Sequence, residues 1–153
     1  MSDMFAELRD LYSAEIIERG RRPRNMRPLE AFDATAKGDN PMCGDRVQVW
    51  IRHGADDTVA EVGFKAQGCE LTKAAADLMV EAVQGRSPGD IRMLFGQYRG
   101  MVQTGTCPDC DGALEALKPL ANVHEYSSRI KCATLPWTAL VAALDGCGES
   151  SSE

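Results

Sequence analysis

The spacing of hydrophobic residues changes along the chain, and each change predicts a different kind of element. In the first twenty residues the apolar positions recur every three or four, which predicts an amphipathic helix that begins at Ser2 and ends at Gly20. Residues 46–53 and 58–66 instead alternate between apolar and polar, with a turn-prone polar stretch between them. Such alternation is typical of half-buried strands, so the two runs predict an antiparallel hairpin.

Helical spacing returns in the second half of the chain. We predict a helix from Cys69 to Gly85, and the stretch Ser87-Pro88-Gly89-Asp90 has the N-cap, proline and acid that begin another. A short helix is predicted over residues 113–117, and a last one follows Cys132.

Two stretches have no clear period. Residues 23–41 predict a connecting segment, and residues 148–153 predict a disordered tail. The pattern contains no internal repeat, and 153 residues is an ordinary size for one domain, so we expect a single domain over 1–153.

Composition limits what this domain does. Seventeen basic and 23 acidic residues give a net charge of −6, which argues against a general nucleic-acid surface. Six cysteines without a signal peptide or a transmembrane-length apolar stretch are typical of a reducing compartment, so we expect a cytoplasmic protein with no membrane contact. The local cluster of basic residues is predicted to be a solvated helix end and loop; it comprises Arg19, Arg21, Arg22, Arg24 and Arg27.

Three cysteines stand in separate contexts where we expect an element to begin. Cys43 lies in Asn40-Pro41-Met42-Cys43-Gly44-Asp45, Cys69 follows Gln67-Gly68, and Cys132 follows Arg129-Ile130-Lys131. At a helix N-terminus the dipole favours a thiolate, as we predict for Cys69 and Cys132. Gly44 permits a tight turn that presents Asp45 near Cys43. Three thiolates and one carboxylate suit zinc, or iron in a sulfide cluster, although scattered cysteines are often small buried apolar residues.

The flanking residues decide in favour of a metal site. Asn-Pro-Met-Cys-Gly-Asp, Gln-Gly-Cys and Arg-Ile-Lys-Cys-Ala-Thr-Leu-Pro-Trp resemble the three cysteine motifs of the IscU-like iron–sulfur assembly family. Within it the chain resembles the SufU type, because Lys131 stands where IscU-type scaffolds have a histidine and extra residues lie between Cys69 and Cys132.

The resemblance implies an α+β fold, with a small antiparallel sheet of about three strands and helices on one face. It also implies zinc held by Cys43, Asp45, Cys69 and Cys132, and a SufS-type cysteine desulfurase as partner. A histidine of that partner would compete for the metal and release Cys43, which would accept sulfur as a persulfide for downstream iron–sulfur assembly proteins. Arg129 is a candidate for orienting the docked state or balancing charge.

Two alternatives stay open. The same ligands are compatible with a scaffold on which a nascent iron–sulfur cluster is built and transferred. From a different class, Cys107-Pro108-Asp109-Cys110 is a C-x-x-C pair, as in redox enzymes or half of a zinc site, with His124 and Cys147 as the remaining possible ligands. The sequence assigns no role to Cys107, Cys110 or Cys147.

Overall fold

A computed structural model of the chain describes residues 14–41, 44–106, 112–146 and 149–151. Its helices are α1 (Ala14–Arg21), α2 (Glu70–Val83), α3 (Pro88–Thr104), α4 (Ala113–Leu117) and α5 (Ser127–Leu144). Its strands are β1 (Ala34–Asn40), β2 (Asp45–His53), β3 (Val59–Gln67) and β4 (Glu149–Ser151). Short 3₁₀ turns occupy Ala55–Asp57 and Lys118–Glu125.

The strands form one sheet in the order β3-β2-β1-β4. β1, β2 and β3 are antiparallel neighbours, as in the predicted hairpin, whereas β4 pairs with β1 in parallel. The predicted α+β fold, a three-stranded antiparallel sheet with helices, is confirmed. Within the predicted disordered tail over 148–153, Glu149–Ser151 instead forms a strand that pairs with the edge of β1, and residues 148, 152 and 153 lie outside the described residues.

The core lies between the sheet and the helices. Ala36 of β1, Val49 of β2 and Phe64 of β3 are cross-strand neighbours, and all three are buried. α5 packs on β1 and β2, α2 packs on β3 and α5, and α1 packs on α2. The sheet thus presents its apolar face to the helices, with α2 and α5 packed directly on it.

Two predicted boundaries are wrong. β1 was expected to be connecting segment, because its sequence, Ala-Thr-Ala-Lys-Gly-Asp-Asn, alternates small and polar residues without large apolar ones. α5 begins at Ser127, so Cys132 is its sixth residue and does not lie at its N-terminus. The N-cap residue of this helix is Tyr126, whose side chain makes no capping hydrogen bond to the described first turn, so the true start lacks the usual capping arrangement.

A buried polar network holds α1 against α2. Arg19, in the basic cluster that we expected to be solvated, is buried; its Nη1 donates to Asp77 Oδ2 at 2.7 Å, and it also pairs with Glu81. Asn25 donates its backbone N–H to Asp77 Oδ1 at 2.7 Å. The prediction was wrong for Arg19 because its two carboxylate partners lie 58 and 62 residues away in sequence.

We expect this network to weaken in acid. The hydrogen bond from Arg19 lowers the pKa of Glu81 below its ordinary value of 4.5. A lowered carboxyl pKa contributes stability above pH 4.5 that is lost as the pH falls through the folded-state pKa. The urea midpoint of the metal-free chain should therefore decline from pH 5 towards pH 3, and Glu81→Gln should reduce that decline. An identical pH profile in the variant would contradict the assignment.

Candidate metal centre

The site lies at the end of the sheet where β2 begins and β3 ends. Gly44, at a φ of 70°, turns the chain into β2 as predicted, and Asp45 follows as the first residue of that strand. Cys69 is the N-cap residue of α2, as predicted, and Cys132 faces the same point from the second turn of α5. The carboxylate and the two sulfur atoms lie within 4.8 Å of one another.

Asp45 is the centre of this cluster. Its side chain is fully buried, and Oδ1 accepts the backbone N–H of Cys69 at 2.9 Å. Oδ2 lies 3.0 Å from Cys132 Sγ and 3.7 Å from Cys69 Sγ. Among the described residues, no cation lies within ion-pair distance of this carboxylate. A buried carboxylate without a counter-charge is costly, and a divalent cation would neutralise it.

The two thiols share one environment but differ in acidity. A hydrogen bond from Cys132 lowers the pKa of Cys69 to about 6, and the Thr72 hydroxyl 3.2 Å from its sulfur contributes. The same pairing, with burial and the nearby Asp45, raises the pKa of Cys132 well above its ordinary range. The pairing therefore favours a thiolate at Cys69 over one at Cys132.

The donor set fits a tetrahedral metal ion. With Zn–S bonds of about 2.3 Å and Zn–O bonds of about 2.0–2.2 Å, neighbouring ligand atoms of a tetrahedral site stand roughly 3.5–3.8 Å apart. The separations from Asp45 Oδ2 to the two sulfur atoms, 3.0 and 3.7 Å, need only small adjustment. Two sulfurs and one carboxylate oxygen leave one position of four for a further ligand.

The other predicted residues are placed as follows. Cys43 lies outside the described residues, as do Cys107, Cys110 and Cys147. Arg129 is half-buried in the first turn of α5, three residues before Cys132 and therefore on the same side of the helix. His124 belongs to the 3₁₀ turn, where its Nδ1 lies 3.0 Å from the carbonyl oxygen of Ala121.

Three residues that border the site were not assigned from the sequence. Asn40 is buried at the end of β1; its Nδ2 lies 3.9 Å from Cys132 Sγ, and its Oδ1 has no hydrogen-bond partner among the described residues. Thr72 is buried against Cys69. Gly68 has a φ of 122° and lies directly against Asp45. Asn40 stands inside a quoted motif, and Thr72 follows a predicted helix N-terminus by three residues, so both positions were visible in the sequence.

The fold and the site define a class of small α+β domain that carries a cysteine and carboxylate cluster at one end of its sheet. Comparison with known proteins gives the family. Residues 11–95 match the family described as NifU-like N terminal domain. The chain belongs to this family, which confirms the resemblance to IscU-like proteins. None of the helices that the structure describes has the length and apolar character needed to cross a membrane.

Relatives of both predicted types are found. The iron–sulfur cluster assembly scaffold protein IscU of Streptococcus pyogenes serotype M1 is 30% identical over 139 residues, which cover 91% of this chain and 86% of that protein. The zinc-dependent sulfurtransferase SufU of Bacillus subtilis is 31% identical over 135 residues, which cover 88% and 90%.

A solved structure supports the fold. The N-terminal part of a nitrogen-fixing NifU-like protein from Brucella abortus superposes with a TM-score of 0.81 at 21% identity, and the match covers 92% of this chain and 96% of that one. The chain is thus related both to scaffold proteins for iron–sulfur cluster assembly and to a zinc-dependent sulfurtransferase.

Proposed function

We propose that the chain is a zinc-dependent sulfur carrier that accepts a persulfide sulfur on Cys43 from a SufS-type cysteine desulfurase. The observation that carries the proposal is the buried cluster of Asp45, Cys69 and Cys132, whose carboxylate lacks a counter-charge among the described residues. Cys43, two residues before Asp45 in sequence, supplies the fourth ligand. The likeness to a zinc-dependent sulfurtransferase supports zinc as the metal.

The four ligands and the basic residues near them have different roles in this function. When bound, zinc keeps a cysteine ligand as a thiolate and protects it from oxidation. Cys69 and Cys132 are held by α2 and α5, and Asp45 is fixed by the backbone N–H of Cys69, so these three ligands are structurally anchored. Cys43 is then the ligand to be released when the desulfurase docks. Arg129 and Lys131 precede Cys132 in α5 by three residues and one residue, and we assign them the role of offsetting the negative charge of the ligand set.

Sulfur transfer is an exchange without net redox change. The Cys43 thiolate attacks the outer sulfur of the desulfurase persulfide and forms a new S–S bond. The S–S bond within the desulfurase breaks, and its cysteine leaves as a thiolate. The product is a persulfide on Cys43, from which downstream iron–sulfur assembly proteins take the sulfur.

The proposal is tested by mixing the zinc-loaded chain with a SufS-type desulfurase and free cysteine. We expect faster alanine release, and mass spectrometry should locate the mass of one added sulfur atom on the peptide that contains Cys43. Cys43→Ser should carry no added sulfur, because serine cannot form a persulfide. Faster alanine release with the sulfur on another cysteine, or an unchanged rate of transfer to the serine variant, would overturn the assignment of Cys43.

A second function is favoured by the other relative, the IscU scaffold protein, which is 30% identical where the SufU protein is 31% identical. In that case the same ligands would hold an iron–sulfur cluster as cargo. Purification without oxygen separates the two functions, because a carrier should contain about one zinc per chain and a scaffold should contain iron with acid-labile sulfide. Iron and sulfide without zinc would replace the carrier proposal with the scaffold.

A further inference from the structure

Thr72 is a buried hydroxyl residue directed at one of the candidate metal ligands. It is the third residue of α2, three positions after the N-cap residue Cys69. Residues three apart lie on the same side of a helix, and its Oγ1 lies 3.2 Å from Cys69 Sγ. The side chain is fully buried, so its hydroxyl needs a partner within the protein.

The other threonines within the described helices show what a helical hydroxyl does otherwise. Thr104 and Thr134 donate to the carbonyl oxygen four residues earlier, at 2.8 and 3.0 Å, and Thr138 donates to the one three residues earlier at 2.8 Å. This back-bonding is the usual arrangement for threonine in a helix. Thr72 departs from it, since the hydrogen bond that its hydroxyl makes in the structure is with the sulfur of Cys69.

We infer that Thr72 is a positioning residue of the metal centre, whose hydroxyl donates to the Cys69 thiolate when the site is loaded. The inference rests on the proposed metal site. Three thiolates and one carboxylate carry four negative charges against two positive ones on zinc, so a neutral donor that withdraws charge from one sulfur stabilises the loaded state. It also fixes the direction of the Cys69 side chain, as partners of metal ligands commonly do.

Cobalt(II) reports on this hydrogen bond, because cobalt bound by thiolates absorbs through sulfur-to-metal charge transfer. We would load wild type, Thr72→Val, Thr72→Ser and the control Thr138→Val with cobalt under anaerobic conditions. Loss of a hydrogen bond raises the energy of the sulfur lone pairs, so T72V should shift the charge-transfer band to longer wavelength and weaken metal binding about tenfold. T72S keeps the hydroxyl and should restore both, and T138V should match wild type.

The outcomes separate this inference from the proposed function. If wild type shows the thiolate band and T72V matches it in both band position and affinity, Thr72 has no role at the metal and the inference is wrong, while the metal site stands. If wild type itself shows no thiolate band, the proposed metal site fails and the inference fails with it. Should circular dichroism show T72V to be unfolded, Thr72→Ala removes the same hydroxyl without placing a methyl group against the Cys69 sulfur, and it is compared with T72S.

Discussion

Replacing Gly68 by alanine should cost the chain about a hundredfold in zinc affinity. An added Cβ would overlap Asp45 Oδ1 and lie 2.9 Å from the Asp45 Cα, so the side chain of Asp45 must move. The carboxylate would then lose the N–H of Cys69 and its place beside the two sulfurs. The φ of 122° at this position adds backbone strain of about 1–3 kcal/mol for any residue with a Cβ.

Gly85→Ala is the matched control for Gly68→Ala. Gly85 also has a positive φ, 85°, but an added Cβ would meet no atom of the described residues within 4 Å. The Gly85→Ala substitution should lower the free energy of unfolding by about 1–2 kcal/mol and leave zinc affinity unchanged. Competition with a chromogenic chelator gives the affinities, and thermal unfolding of the metal-free chains gives the stabilities. Equal zinc affinity in the two variants would show that Asp45 does not hold the metal.

The hairpin and most helices were predictable because local sequence determines them. β2 and β3 are strands where the apolar and polar residues of the sequence alternate, and α3 begins where expected, with Ser87 Oγ accepting the N–H of Asp90 at 3.2 Å. α2 ends at Val83, two residues before the predicted stop at Gly85. In each case the signal is a periodicity or a capping residue within a few positions of the boundary.

The errors have a different physical origin. β1 is a strand because it pairs with β2, and its small residues give no signal of their own. Arg19 is buried because Asp77 and Glu81 of α2 accept its hydrogen bonds. A local sequence pattern cannot indicate partners that are so distant in sequence. Tertiary contacts determine both the strand conformation of β1 and the burial of Arg19, and such contacts override local sequence preference.

The candidate site likewise contains residues that could be predicted from the sequence and residues that could not. Asp45, Cys69 and Cys132 were expected to converge, and the structure brings them together. Their supporting residues, Asn40, Thr72 and Gly68, were not assigned a role, because which neutral group faces a sulfur depends on how β1, β3 and α2 are packed. Motifs therefore indicate the ligands, whereas the packing determines how strongly each ligand is held.

Asp77→Asn should destabilise the metal-free chain by about 3 kcal/mol, because breaking a buried ion pair leaves the other charge poorly compensated. Asp77 is fully buried and accepts from both Arg19 and the backbone N–H of Asn25. Glu81 still pairs with Arg19 in the variant, which keeps the expected loss at the lower end of the range for buried pairs. For a chain of this size the loss corresponds to a fall in Tm of roughly 6–12 °C.

Asp145→Asn makes the same chemical change in the exposed pair with Arg92 and should alter stability by less than about 1 kcal/mol. Asp77 lies eight residues beyond Cys69, about 12 Å along α2, so zinc affinity below the unfolding transition should stay unchanged in both variants. Urea unfolding gives the free energies, and chelator competition gives the affinities. A loss in Asp77→Asn as small as that in Asp145→Asn would mean that burial of the pair provides no net stability, and that apolar packing alone holds α1 on α2. A parallel loss of zinc would instead mean that docking of α1 is transmitted along α2 to the metal ligands.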